Sequence, residues 1–189
     1  MDTTSPTLLA RLAAPGESEA WDRFTRLYTP LLLGWAARLG FQPADAADLS
    51  QDVLLKLVRL LPEYRRGEGQ SFRGWLFRVA MNQARDFHRR RATRPMPAAE
   101  GLSGVADASV EMTEAEYRQA LVRRGLELIR GDFTEATWAA FIGVMVDGRS
   151  AAEVATALGV SVNVVYLARH RVLTRLRQEL DGLLDDEPG

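Results

Sequence analysis

Cysteine is absent from the 189-residue sequence, so neither a disulfide framework nor a thiolate-held metal can organise the fold. Histidine is almost absent. His88 and His170 are the only two, far apart and each inside a basic run, which argues against an imidazole-based metal or catalytic centre. No apolar run reaches the roughly 18 residues that a membrane-spanning helix needs. The amino terminus, MDTTSPTLLARLAAPGE, carries an acid where a secretory signal would carry basic residues, and its apolar stretch is broken. The expected location is the cytoplasm. Strand patterning is also lacking, which leaves helices to build the core.

Hydrophobic residues make up 47% of the chain, enough for a folded protein of one medium domain or two small ones. The net charge of -1 conceals a segregation. Residues 85–94 (RDFHRRRATR) hold five arginines against one aspartate, and residues 169–177 (RHRVLTRLR) hold four arginines and no acid. The stretch from Glu100 to Glu116 and the tail DGLLDDEPG are acidic. Two basic segments separated by a neutral-to-acidic spacer suggest two contacts with one polyanion.

The segment TRPMPAAEGLSGVADASV, residues 93–110, is rich in Pro, Ala, Gly and Ser and has no periodicity, so it reads as a linker. Elsewhere the pattern is helical. A short helix opens at Ser5-Pro6 and ends by Pro15-Gly16. A second runs from Ser18 to Leu39 on a core face of Trp21, Phe24, Leu27, Tyr28, Leu31 and Leu32, with a kink expected at Pro30. A third spans Ala44 to Leu61 before Pro62, and a fourth, capped by Ser71, reaches Arg91. Thr113-Glu116, Asp132-Glu135 and Ser150-Glu153 have the capping-box spacing, and Ser161 is placed to cap the last helix. The fold class is all-α, in two small helical domains.

The most specific local signal is SAAEVATALGVSVNVVYLARHRV, residues 150–172. A helix-turn-helix needs a short capped helix, a tight turn and a second helix crossing steeply. Ser150 and Glu153 supply the cap, Ala155 the close approach, and Gly159 the left-handed turn residue. Val154, Leu158, Val160, Val165 and Ala168 are spaced to pack the two helices together. On the last helix Val165, Ala168, Val172 and Leu176 point inward, whereas Asn163, Tyr166, Leu167, His170 and Thr174 point outward, with Arg171 and Arg177 on the flanks. Polar side chains near the start of such a helix, with Ser161 just before it, can reach base edges while arginines hold phosphates. Leu167 suits a thymine methyl. A helix pair used for protein contact alone would share much of this pattern.

In the amino-terminal half, DAADLSQDVLLKLVRLLPEYR carries a polar stripe of Asp45, Asp48, Asp52, Lys56 and Arg59 in front of Leu49, Val53, Leu57 and Leu60. This is either a solvated face or an acidic docking surface for a basic partner. The following SFRGWLFRVAMNQARDFHRRR has Phe72, Leu76, Val79, Ala80, Gln83 and Phe87 on one side and Arg78, Asn82, Arg85 and Arg89 on the other. A one-sided arginine stripe with aromatics near its start fits nucleic-acid backbone binding beside base stacking, although Phe72 and Trp75 also suit a core. The preceding RRGEGQS lacks the Gly-Lys-Ser/Thr ending of a phosphate-binding loop.

DAADLSQDVLLKL followed by SFRGWLFRVAMNQARDFHRRR resembles the second conserved region of bacterial sigma factors, and the helix-turn-helix from Thr137 to Leu180 resembles their fourth. Order and spacing resemble the compact extracytoplasmic-function (ECF) group. The resemblance implies a region-2-like domain (1–92), a linker (93–112), a region-4-like domain (113–182) and an acidic tail (183–189). It further implies docking on core RNA polymerase through Asp45, Asp48, Gln51, Asp52 and Leu55. Arg65, Arg66, Ser71, Phe72, Arg78, Asn82, Arg85 and Arg89 would recognise and open the minus-ten element. Ser161, Asn163, Tyr166, Leu167, His170, Arg171 and Thr174 would read the minus-thirty-five element. The linker would thread toward the polymerase active-site channel, and an anti-sigma factor would be the simplest regulator. Tyr166, Leu167 and Ala168 depart from the basic and hydroxyl residues common in that recognition helix, which leaves the promoter sequence open.

No cofactor or metal is implied, and the expected mechanism is binding without bond-making. A stand-alone regulator is the competing reading; it would bind DNA without polymerase, and the basic helix speaks against it. A nucleic-acid enzyme would need converging carboxylates or a nucleophile with a base. Asp45, Asp48 and Asp52 lie on one helix face without such partners.

Overall fold

A computed structural model of the chain describes residues 7–14, 16–64, 71–92 and 112–184. Among these residues the regular elements are all helical, as the sequence pattern predicts. Among the described residues no single helix is long and apolar enough to cross a membrane. The chain divides into two compact units, residues 1–120 with 182–189, and residues 121–181.

The first unit contains α1 (Leu8–Leu12), α2 (Ser18–Arg38), α3 (Pro43–Leu60) and α4 (Phe72–Ala92). Thr7 caps α1, its hydroxyl accepting from the Ala10 N–H, so the start falls just after the expected Ser5-Pro6, which lies outside the described residues. Helix α2 continues through Pro30. Pro43 opens α3, where its missing N–H costs no helical bond, and Pro62 converts the end of α3 into a single 3₁₀ turn. Ser71 caps α4 by accepting from the Gly74 N–H at 3.1 Å.

Helix α3 packs against both α2 and α4. Its Leu49, Val53 and Leu57 are at most 4% exposed, and full burial stabilises by about 1.5–3 kcal/mol per side chain of this size. Above them, Phe24 stacks on Tyr28 at 4.2 Å between ring centroids, and Phe72 meets Phe24, Tyr28, Tyr64 and Trp75.

Helix α5 (Glu114–Ile129) starts in this unit and ends in the second. The Thr113-Glu116 box forms: Thr113 Oγ1 accepts from the Glu116 N–H at 3.2 Å and Glu116 Oε2 accepts from the Thr113 N–H at 2.7 Å. Its opening turns belong to the amino-terminal unit, whereas the 113–182 reading placed them with the helix-turn-helix. Tyr117 bonds Tyr28, Arg38 pairs with Glu116 at 3.2 Å, and Arg73 pairs with Glu114 at 3.0 Å. Arg73 also donates to the Met112 carbonyl at 2.6 Å. These are long-range contacts, invisible to a local pattern. The linker up to residue 111 and the tail from residue 185 lie outside the described residues.

The second unit holds the rest of α5, with α6 (Glu135–Met145), α7 (Ala151–Leu158) and α8 (Val162–Glu179). Two capping expectations are corrected here. Asp132 sits in a 3₁₀ turn, and Thr134 caps α6 by accepting from the Thr137 N–H. Glu135 instead pairs with Arg130. Ser161 occupies the cap position of α8 but its side chain makes no capping hydrogen bond. The Ser150-Glu153 box forms in full. Ala140, Val154, Ala155, Val165 and Ala168 make the core of this unit, with Val160 partly buried against it. Leu158, expected in that core, is 38% exposed. It is the last residue of α7, where the helix ends before its side chain can be covered.

Candidate polymerase and nucleic-acid interfaces

Helix α3 presents a narrower outer strip than its polar stripe suggests. Asp48, Gln51 and Leu55 face solvent, as do Val58 and Arg59. Leu55 is 67% exposed and Val58 50%, on a helix whose Leu49, Val53 and Leu57 turn inward. Leu55 and Val58 stand at helical spacing on the outer side of α3, with Asp48 and Gln51 exposed on the preceding turns. Asp45 and Asp52 are half-buried. Asp52 turns toward α4, where its Oδ2 accepts from Gln83 Nε2 at 3.3 Å and pairs with Arg90 at 3.0 Å.

Helix α4 separates its faces as the period predicts. Leu76, Val79, Ala80 and Ala84 are buried, whereas Arg78, Asn82, Arg85 and Arg89 line the exposed side. Arg85 donates to Asn82 Oδ1 at 3.2 Å and Arg89 pairs with Asp86. These are exposed contacts within the helix, weak enough to be exchanged for phosphate. Phe72 does not join this stripe. It is 3% exposed within the aromatic cluster, so its ring is closed to a stacking base in this arrangement. Ser71 is half-buried on its capping bond. Arg65 and Arg66 lie outside the described residues.

In the second unit Gly159, at φ 65°, closes α7 in the left-handed conformation, and α8 leaves at 106° to α7. That angle is within the range of a DNA-binding helix-turn-helix. Val165, Ala168, Val172 and Leu176 are buried, and Ser161, Asn163, Tyr166, Leu167, His170 and Arg171 are exposed, with Thr174 half-buried. Tyr166 is 54% and Leu167 52% exposed, so neither is closing the core edge. Arg175 has a structural part instead. Burial lowers its affinity for a proton, but its hydrogen bond to Glu179 and the charge of Asp132 more than offset this and raise its pKa. It bonds Asp132 at 2.9 Å and Glu179 at 2.7 Å, which ties α8 to the 3₁₀ turn before α6.

Among the described residues, no group of three His, Asp or Glu side chains is placed to hold a metal ion. A family model, Sigma-70 region 2, matches residues 24–94, which begins within α2 and includes all of α3 and α4. ECF RNA polymerase sigma factor SigD of Mycobacterium tuberculosis is 30% identical over 175 residues, covering 89% of this chain and 80% of the relative. The chain belongs to the ECF family of RNA polymerase sigma factors. RNA polymerase sigma-E factor of Streptomyces avermitilis is also 30% identical, over 89% of each chain, and sigma factor CnrH of Cupriavidus metallidurans is 28% identical over 94% of this chain and 93% of its own. The solved structure of CnrH in complex with the cytosolic domain of CnrY gives 23% identity over 92% of this chain and 94% of that one, with a TM-score of 0.37. That score is too low to equate the arrangements, so membership rests on the sequence relatives.

This ECF sigma factor directs transcription initiation. Three further exposed side chains border these faces, Val58, Arg169 and Arg90. Val58 and Leu55 are three positions apart, a helical spacing that was legible. Arg169 is exposed beside His170, inside the basic run. Arg90 carried no distinct signal, because its partner lies on another helix.

Proposed function

We propose that this alternative sigma factor docks on core polymerase through the outer strip of α3 and engages the minus-ten element through α4. The observation that carries this is a pair of unlike faces on two packed helices, Asp48, Gln51, Leu55 and Val58 on one and Arg78, Asn82, Arg85 and Arg89 on the other. Polymerase and DNA then meet one folded unit without competing for the same side chains. The apolar strip supplies affinity for a protein partner, and Asp48 supplies selectivity for a basic one. The arginine stripe attracts the DNA backbone, and melting costs unstacking energy that extruded bases recover in pockets and stacks. Arg65 and Arg66 belong to the same reading through the loop before α4.

The exposed start of α8 supports major-groove reading of the minus-thirty-five element. Asn163, Tyr166, Leu167 and His170 are the candidates for base edges, and Ser161, Arg171 and Thr174 for the backbone. The domain roles follow: residues 1–92 for polymerase and the minus-ten element, 93–112 as linker, and the helix-turn-helix unit of residues 121–181 for the minus-thirty-five element. Two weak DNA contacts on one polymerase gain from effective concentration. The chain makes and breaks no bonds itself. Its simplest regulator is an anti-sigma factor that covers the α3 strip.

The deciding experiment is run-off transcription with purified core polymerase on fragmented genomic DNA, with and without this protein. New start sites sharing paired upstream elements are expected. Absence of initiation together with absence of core binding would overturn the assignment of these surfaces, and DNA binding without polymerase would favour a stand-alone regulator.

A further inference from the structure

We propose that Arg90 is an additional DNA-contact residue whose charge Asp52 masks until polymerase engages α3; this rests on the surface roles proposed above. Four side chains cross from α3 to α4 in one chain of contacts. Lys56 Nζ donates to Gln83 Oε1 at 3.2 Å, Gln83 Nε2 donates to Asp52 Oδ2 at 3.3 Å, and the same oxygen takes the Arg90 guanidinium at 3.0 Å. Arg90 is further steadied by donating from Nε to the Asp86 carbonyl at 3.4 Å. Position 90 therefore lies on the flank of α4, between the arginine stripe and α3.

Asp52 is three positions from Leu55 and one from Gln51, so it stands at the inner margin of the docking strip. A phosphate approaching Arg90 meets the carboxylate just behind it, and the pair offers little net attraction. The pair is open to solvent, with Arg90 at 60% and Asp52 at 35% side-chain exposure, so it is weak and exchangeable. A basic group of the polymerase that docks beside Leu55 competes for Asp52, which removes that carboxylate's charge from beside the Arg90 guanidinium and favours phosphate there. By linkage the converse holds: DNA that takes Arg90 releases Asp52 to polymerase. A contact of this class supports a coupling of about two- to fivefold, enough to favour DNA binding by the polymerase-bound form over the free protein.

The test uses the full chain and the variants Asp52→Asn, Arg90→Gln and the double variant. Asparagine preserves shape and still accepts from Gln83. Binding of a fluorescein-labelled oligothymidylate is followed by anisotropy across a salt series. Asp52→Asn is expected to tighten binding about two- to fivefold and steepen the dependence of log K on log salt by about 0.7, the value for one more phosphate contact on a single strand. The gain is expected to vanish when Arg90→Gln is also present. At saturating core polymerase the wild type and Asp52→Asn are expected to show the same salt dependence. Equal slopes in the free proteins would overturn the masking, and a gain that survives Arg90→Gln would reduce it to a general charge effect. If the wild type initiates with core polymerase while Asp52→Asn gains nothing, only the mask fails. If the wild type neither binds core nor initiates, the surface roles fail with it.

Discussion

Tyr28 and Tyr117, 89 positions apart in the chain, share a buried hydrogen bond with their phenol oxygens 2.6 Å apart. Both side chains are at most 1% exposed, and Tyr28 stacks on Phe24 and meets Phe72 edge-on. The bond joins the first turns of α5 to α2, so removing either hydroxyl strands a buried polar atom away from this partner. Tyr117→Phe and Tyr28→Phe are each expected to destabilise by about 1–2 kcal/mol, and the double variant by less than their sum. Urea denaturation read by tryptophan fluorescence checks this, since Trp21, Trp35 and Trp75 lie in the same unit. Strict additivity of the two changes would show that the bond contributes nothing.

Gly143 lies in the middle of α6, where alanine ordinarily adds about 1 kcal/mol of helix stability. Here a Cβ would sit 2.8 Å from Val154 Cγ2 and 3.3 Å from Cγ1. Val154 is 1% exposed in the core of the helix-turn-helix, and its β-branched side chain is stiff about the Cα–Cβ bond. Gly143→Ala is therefore expected to destabilise the second unit by about 1–3 kcal/mol, the usual cost of overpacking. Val154→Ala should cost less in the Gly143→Ala background than alone. Thermal unfolding of the four proteins settles the comparison; a Gly143→Ala protein as stable as the parent would mean α6 and α7 can part easily.

Local periodicity carried much of the architecture. Val165, Ala168, Val172 and Leu176 fall on the buried face of α8 because a helix packed on a core by one side has one apolar stripe, and that stripe is written in the sequence. The Ser150-Glu153 box and Gly159 were legible for the same reason: their geometry closes within one turn. Asp132 was misread because Thr134 offers an equally good cap two residues later, and only the 3₁₀ turn through Arg130–Asp132 decides between them. Asp52 looked like a solvent-facing member of the α3 stripe until α4 brought Gln83 and Arg90 to it. Tyr117 and Arg73 likewise depend on which helix packs where. On the candidate surfaces, residue type and helical phase identified the exposed faces of α4 and α8, whereas Phe72 has a composition that suits base stacking and core equally, and packing chose the core.

The Glu153 carboxyl is held below the usual glutamate range, first by the Ser150 hydroxyl and then by the Ser150 backbone N–H. Because its pKa is lowered in the folded state, the unfolded chain takes up the proton first as pH falls. The stabilisation by this carboxylate is full above the usual value of about 4.3 and is lost as pH falls through the lower folded value. Glutamine can still accept from Ser150, so Glu153→Gln keeps the box but loses the charge. The variant is expected to be slightly less stable than the parent at neutral pH, with the difference closing in acid. Glu116, lowered chiefly by the Thr113 backbone N–H, keeps its own acid dependence in both proteins. Thermal midpoints by circular dichroism across an acid series would show the convergence; a gap independent of pH would place the effect in packing.

On α8, Asn163 and Arg171 are both exposed but suited to different work. Arg171→Gln is expected to weaken duplex binding similarly on all sequences and to lower the salt slope by about 0.9. Asn163→Ala is expected to cost about 1–3 kcal/mol on the cognate element and little on unrelated DNA. Competition binding of polymerase charged with each variant separates the two. Loss of discrimination with Arg171→Gln, and none with Asn163→Ala, would mean a different register of α8 in the groove.

Leu55 and Leu57 are two positions apart on α3 and have opposite environments, 67% exposed against 0%. An acidic replacement of Leu57 places a charge in the core and is expected to prevent folding. The same replacement of Leu55 faces water in the free protein, where such changes usually shift stability by no more than about 0.5 kcal/mol. At a partner-contact position, however, it sets an unpaired charge against an apolar neighbour. Leu55→Glu is therefore expected to keep the parent's unfolding midpoint while weakening association with core polymerase by about 2 kcal/mol, some thirtyfold. Val58→Glu should act in the same direction. Its side chain borders the same strip from the next turn and is half exposed. Co-sedimentation or anisotropy with core polymerase, paired with thermal unfolding of the free variants, reads both quantities. Unimpaired core binding by Leu55→Glu would remove α3 as the docking helix, whereas loss of binding with an intact fold would fix the docking surface to this strip.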